Sequence, residues 1–459
     1  MTMNEDFFAR SRVMWQDTLK HFPDHETAYF WQPLVERHQQ IAVNPLQLQE
    51  WERHFEAYIR RMDPYYKAFV DWRHVQMSKE SDVPHFVVTY KDNIDIAGFP
   101  TRYGNTSGFR LYPTQSAQIV ERLHEKRFTC IGKVATTEFS IGNESWCINP
   151  RFPYFSPSGS STGSAVAVAS GFCDLSIGTD SASSIRLPAG NCGIVGLRLT
   201  PYSALTKGIF SVSPSMDSVG LMTRTVADLA YIWQRETLRT LAHSTPRVNH
   251  DQKSLKIGIV DNYCKTSYCH HDIVEAFNQL DDRLRQAGHV TEHVNLKWWK
   301  YRRVAWTLLS REVSDVHKNL QFSIPIQYQS GTLAALSVGK EVTDEAYNEA
   351  KELQQIAQAM ANNDLTRDYD VLLLPLDPDL PRNLMVPAPK QTIPESSNIK
   401  EETLDYATIA SFAGIPALTL PIAISPSGAP IAVQVFAAQR EEEKLIQAGL
   451  LIEEIIRLV

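Results

Sequence analysis

Long apolar runs are missing from this sequence. A membrane-spanning helix needs roughly 18 consecutive apolar residues, and no such run occurs, so no membrane span is expected. Basic clusters are missing as well. Lys and Arg number 45 against 52 Asp and Glu, for a net charge of −7. That balance argues against nucleic acid or an anionic membrane as the main partner. Cysteine is sparse, with 6 in 459 residues. A chain of this size is not held by a disulfide framework of that number, and a reducing, cytoplasmic setting is the expectation. The opening MTMNEDFFARSR carries acids and no apolar core segment, so it is not read as a signal peptide. The phosphate-cradling pattern GxxxxGK[ST] is absent, which argues against nucleotide binding. The nearest approach to a metal cluster is Cys264, Cys269, His270 and His271. Its spacing fits no standard zinc site. A surface turn is expected there, with no metal and no cofactor.

What is present reads as an α/β protein. Hydrophobic content of 43% and charged content of 21% are ordinary for a globular chain. Asn44-Pro45 is a good helix start, and Leu48, Trp51, Phe55, Tyr58, Ile59 and Met62 follow at helical spacing, up to Pro64. A strand-like run from Pro84 to Tyr90 delivers Lys91 at its end. A helix over 114–126, a strand over 128–132 and a helix from near Thr225 follow. Further on come a strand over 255–260, a helix over 272–287, a strand over 369–375, helices over 404–413 and 441–458, and strands over 417–424 and 432–437. The alternation of helices with short apolar strands argues for helices covering a central sheet. The expected organisation is an N-terminal helical extension over 1–43 and one large domain over 44–459. Its core comprises 80–235 and 366–459, and 236–365 forms a variable helical region.

The stretch Ser156–Pro201, SPSGSSTGSAVAVASGFCDLSIGTDSASSIRLPAGNCGIVGLRLTP, is the most informative. Hydroxyls punctuate what reads as buried core, unlike a linker that is polar throughout. The run 164–170 reads as a helix that Ser160 or Ser161 caps and Gly171 ends. The run 175–178 reads as a buried strand opening into TDSASS. Two serine turns are thereby separated by one helix, an arrangement that brings two hydroxyls into one dry site.

These motifs resemble those of the amidase signature family, in which a Gly/Ser-rich run precedes a GTD…SIR…PA segment. Tyr90-Lys91-Asp92-Asn93, Thr137-Glu138-Phe139, Asn149-Pro150, SMDSVGLMTRTVADLA and GIPALTLPIAISPSGAPIAVQV extend the resemblance over residues 44–458, most weakly from 235 to 365. The resemblance implies a single large α/β domain with a mixed, twisted sheet covered on both faces. It also implies a Ser–Ser–Lys triad: Ser184 as nucleophile, Ser160 as the bridging serine after a cis peptide, and Lys91 as general base. The loop N–H groups of Ser181, Ala182, Ser183 and Ser184 then form the oxyanion hole, and Asp180 and Arg186 brace it. A serine hydroxyl needs an adjacent base, and lysine serves as one only when burial lowers its pKa toward neutrality. The chain departs from the family in having Ala182-Ser183 where two glycines are usual, and Ser158 and Thr162 in place of glycines.

Three readings follow. The first is an amidase that hydrolyses a carboxamide through an acyl-enzyme on Ser184. The second is an acyltransferase that passes the acyl group to an amine, and the third is a weakly active or non-catalytic subunit of a complex. A small-molecule amide or acyl substrate is expected, and a homodimer is an assembly the sequence leaves open. Cys173 and Cys192 are expected to be inert core thiols. Phe152, Tyr154 and Phe155 are placed either to line an acyl pocket or to pack.

Overall fold

The computed structural model of the protein describes residues 33–457 except for 44–45, 74–85, 125–127, 143–144, 203, 235–254, 263–268, 319, 321–325 and 386–404. The Asn44-Pro45 helix start, Cys264 and most of the expected N-terminal extension lie outside the described residues.

Among the described residues, one mixed sheet of eleven strands organises the fold: β1 (Phe69–Trp72), β2 (Phe86–Lys91), β3 (Phe128–Val134), β4 (Leu175–Asp180), β5 (Val195–Arg198), β6 (Ser218–Thr223), β7 (Lys256–Val260), β8 (Val290–Val294), β9 (Val371–Pro375), β10 (Ala417–Ile424) and β11 (Pro430–Phe436). Their order across the sheet is β1-β3-β2-β4-β6-β5-β10-β11-β9-β7-β8. β3, β2 and β4 run parallel, the middle of the sheet is antiparallel, and β9, β7 and β8 are parallel again.

Among the described residues, twelve α-helices accompany the sheet: α1 (Leu34–Val43), α2 (Leu46–Tyr66), α3 (Gln118–His124), α4 (Thr162–Ala169), α5 (Arg186–Asn191), α6 (Val226–Trp233), α7 (His271–Gln286), α8 (Val304–Lys318), α9 (Ser330–Lys340), α10 (Asp344–Arg367), α11 (Asp405–Phe412) and α12 (Glu442–Arg457). Residues of successive strand positions alternate between faces, and β2 shows the consequence. Phe86, Val88 and Tyr90 join one apolar cluster with α3, α6, α7 and α12. Val87 joins a second with α2 and the alanines and valines of α4.

One expectation is corrected. Pro64 does not end its helix, which continues to Tyr66. The Asp63 carboxylate accepts from the N–H groups of Ala68 and Phe69 and closes the turn beyond it. The variable region 236–365, beyond the expected strand over 255–260 that forms β7, contributes a second strand, β8, to the sheet.

Candidate active site

Lys91 is the last residue of β2 and is fully buried. The parallel pairing of β2 with β4 brings it beside the end of that neighbouring strand. α4 approaches the same place from the side. Its first turn lies close against β3, since a Cβ on Gly163 would come within 2.2 Å of the Ala135 nitrogen. The peptide entering this helix, Gly159–Ser160, is cis. Gly178 and Gly220, directly paired on β4 and β6, leave a trough for the side chain of Ile185. Ile185 directly follows Ser184, so its seat in the trough fixes where Ser184 stands.

The three sequence-predicted triad residues are brought together. Lys91 Nζ lies 2.7 Å from Ser160 Oγ, and Ser160 Oγ lies 2.9 Å from Ser184 Oγ. Ser160 and Lys91 are buried, whereas Ser184 is partly exposed at the open end of the row. Burial lowers the Lys91 ammonium to about 7, against the opposing pull of Asp180 and Asp217. No carboxylate bonds to Lys91 among the described residues; its second partner is Thr179 Oγ1 at 2.9 Å.

Asp180 and Arg186 form the core of a buried brace. Arg186 donates Nε and Nη2 to the two oxygens of Asp180, each at 3.0 Å. The same guanidinium reaches the Ala407 carbonyl, Gln434 Oε1 and Ser411 Oγ. Arg198 donates to the Asp180 backbone carbonyl and carboxylate. Burial alone would raise the Asp180 carboxyl, but Arg186 and Arg198 outweigh it and hold the group well below the usual carboxylate range. The carboxylate in turn accepts from the N–H groups of Ser183 at 2.9 Å and Ile185 at 3.2 Å. This clamps the loop around Ser184.

That clamp narrows the expected set of four loop amides. The Ser183 N–H is directed at Asp180. Among the described residues, three of the four loop amides, those of Ser181, Ala182 and Ser184, therefore carry no intramolecular acceptor. Ser183 also adopts φ of +114°, a conformation that favours glycine.

Sequence reading missed Thr179, Asn93, Asp217 and Arg198. Asp217 accepts from Ser181 Oγ, Ser211 Oγ and the N–H groups of Val212 and Ser213, tying the loop to the segment before β6. Thr179, Asn93 and Asp217 lie inside motifs that had drawn notice, and their nearness to the key residues was the available signal. Arg198, buried in β5, likewise lies inside the quoted stretch Ser156–Pro201, in its GLRLT end. Phe152 and Phe155 pack in the main apolar cluster, and Tyr154 is 57% exposed. Burial pushes the Cys173 thiol up to about 12 and raises Cys192 too. His270, His271 and Asp272 lie at the start of α7, where the His270 ring accepts from the Asp272 N–H as a helix cap.

Comparison with known proteins identifies the family. The family model described as Amidase matches residues 83–446. The chain belongs to the amidase family. As an amidase-family member it acts on carbon–nitrogen amide bonds, by hydrolysis or by transfer. It is 29% identical over 402 residues to a subunit of the glutamyl-tRNA(Gln) amidotransferase of Exiguobacterium sibiricum, covering 78% of this chain and 81% of that one. Among solved structures it resembles a crystal structure of an amidase, at TM-score 0.74 and 23% identity over 98% of this chain and 99% of the other. It also resembles 6-aminohexanoate cyclic dimer hydrolase bound to its substrate, at TM-score 0.76 and 20% identity over 93% and 97%. The two structural likenesses speak for the shared fold. No helix among the described residues is long and apolar enough to cross a membrane.

Proposed function

We propose that this amidase is a cytoplasmic hydrolase of a small carboxamide and works through an acyl-enzyme on Ser184. The observation that carries the reading is the continuous row Lys91–Ser160–Ser184, at 2.7 and 2.9 Å, with a lysine that burial brings to about 7. Ser184 Oγ attacks the carbonyl carbon. Its proton passes to Ser160 as the Ser160 proton passes to neutral Lys91. The oxyanion is met by the N–H groups of Ser181, Ala182 and Ser184. Each such donor contributes about 2.7–4 kcal/mol in comparable sites. Collapse breaks the C–N bond, and the leaving nitrogen takes a proton back through Ser160 from Lys91. Water then repeats the sequence against the ester and frees the acid.

A second reading has the nitrogen or acyl group handed to an acceptor. The observation favouring it is that curated relatives at 26–29% identity are subunits of glutamyl-tRNA(Gln) amidotransferases. Turnover of a carboxamide panel with hydroxylamine present separates the outcomes. Hydrolysis gives acid and ammonia in the absence of the trap and hydroxamate in its presence. Release of ammonia without any hydroxamate at saturating trap counts against an acyl-enzyme open to solvent. Acid formation by the Ser184→Ala variant counts against Ser184 itself.

A further inference from the structure

Asn93, two residues beyond Lys91, is fully buried, with its amide directed to the residue that Lys91 also meets. Asn93 Nδ2 lies 3.0 Å from Thr179 Oγ1, and Lys91 Nζ lies 2.9 Å from the same oxygen. The orientation of the amide is decided by its other contact, the Phe210 carbonyl at 3.4 Å, which only accepts. The backbone reinforces it, because the Phe210 N–H donates back to the Asn93 carbonyl at 2.9 Å. Asn93 Oδ1 meanwhile has no partner among the described residues. A side chain that leaves one buried acceptor unmet is held for what its other atom does.

We propose that Asn93 is a positioning residue for this reaction, acting through Thr179 to present Lys91 to Ser160. The proposal rests on the reading of Lys91 as the base. With Thr179 Oγ1 receiving one Lys91 N–H, the nitrogen is held with its other side 2.7 Å from Ser160 Oγ, where the lone pair of neutral Lys91 can take the proton. The charged groups around Lys91 are all engaged elsewhere. Asp180 of β4 is held by Arg186 and Arg198, and Asp217 by Ser181, Ser211 and two backbone amides. Asp92, next to Lys91 in sequence, pairs with Lys133 of β3 at 3.0 Å. α4, with the sequence TGSAVAVA, brings no ionisable side chain. An amide at position 93 orients without adding charge. A carboxylate there would hold the proton on Lys91.

The test follows the rate at which a fluorophosphonate modifies Ser184 as a function of pH, in wild type, Asn93→Asp and Asn93→Ala. Asn93→Asp is expected to move the acid limb up by at least about one pH unit, a tenfold loss near neutrality that recovers in alkali. Asn93→Ala is expected to lower the rate about tenfold at every pH with the limb in place. A second pair covers failure to fold: Thr179→Ser keeps the wild-type limb, and Thr179→Val behaves as Asn93→Ala. A merely structural Asn93 gives equal losses at all pH values in both variants. An Asn93→Asp limb coinciding with wild type, or an Asn93→Ala rate equal to wild type, overturns the proposal. A wild type that does not label at all overturns the base assignment itself and the proposal with it, so the two failures are told apart.

Discussion

A lysine placed in a dry site without a bonded carboxylate carries a stability cost that depends on pH, and Lys91 is such a residue. Its ordinary value of 10.5 falls to about 7 on folding because burial disfavours the ammonium. Between those two values the unfolded chain binds the proton and the folded chain does not, so the contribution of Lys91 to stability improves as pH rises through that window. Below about 7 both states are protonated, and the full penalty applies. Lys91→Met is therefore expected to be more stable than wild type near neutrality, with the advantage shrinking by on the order of 3 kcal/mol between pH 7 and 9.5. Denaturant melts at the two pH values measure this. A constant gap between variant and wild type means that Lys91 is not neutral in the folded protein. Ser183 illustrates a different residue-scale feature. Its φ of +114° is a glycine conformation carried by a residue with a side chain, and the Asp180 carboxylate holds its N–H in that conformation. The departure from the family's paired glycines could be read in the sequence, whereas the loss of one amide to Asp180 could not.

At the scale of elements, legibility followed the strength of the local pattern. β10 occupies 417–424 as expected, since its apolar and β-branched run has clear limits. β6 carries no clear strand signal in the sequence, because its flanks are crowded with Ser, Pro and Gly. It is a strand because its glycine lies opposite that of β4 and its partners on both sides are strands. α5 went unread for a related reason. RLPAGN carries both Pro and Gly, yet Pro188 stands in the first turn, where a missing N–H costs nothing. Gly190 is required by contact instead, since a Cβ there would come within 2.4 Å of Leu376. The trough under Ile185 yields a prediction at this scale. A Cβ on Gly220 would approach Ile185 Cγ1 to 2.3 Å. Gly220→Val is expected to cost about 1–3 kcal/mol through overpacking, and to slow Ser184 modification more than this loss of fold explains. Equal labelling rates per folded molecule, measured beside the melting midpoint, would separate Ile185 from the placement of Ser184.

Across the whole molecule, one turn joins Ser160 to the region that sequence reading found most divergent. The Thr137 N–H donates to the Ser160 carbonyl at 3.2 Å. The next residue, Glu138, accepts from Asn105 Nδ2, the Gln329 N–H and the Thr332 hydroxyl at the start of α9. Phe139 packs with Tyr328, and both Phe139 and Phe210 pack with His317 of α8, whose imidazole is lowered by burial to about 4. Thr137-Glu138-Phe139 was legible as a motif, but its partners Gln329 and Thr332 were not, because they lie roughly 190 residues away in a segment with no recognisable pattern. The large α/β architecture was legible from alternation and motif order. The strands β7 and β8 show how the less familiar region nonetheless extends the same sheet.

The row Lys91–Ser160–Ser184 is the centre of this account, and locating a covalent adduct tests it most directly. Wild-type protein treated with a fluorophosphonate is digested and mapped by mass spectrometry. A single adduct on Ser184 is expected, absent from Ser184→Ala and slowed by orders of magnitude in folded Lys91→Ala. An adduct on another residue, or undiminished labelling of Lys91→Ala, would contradict it.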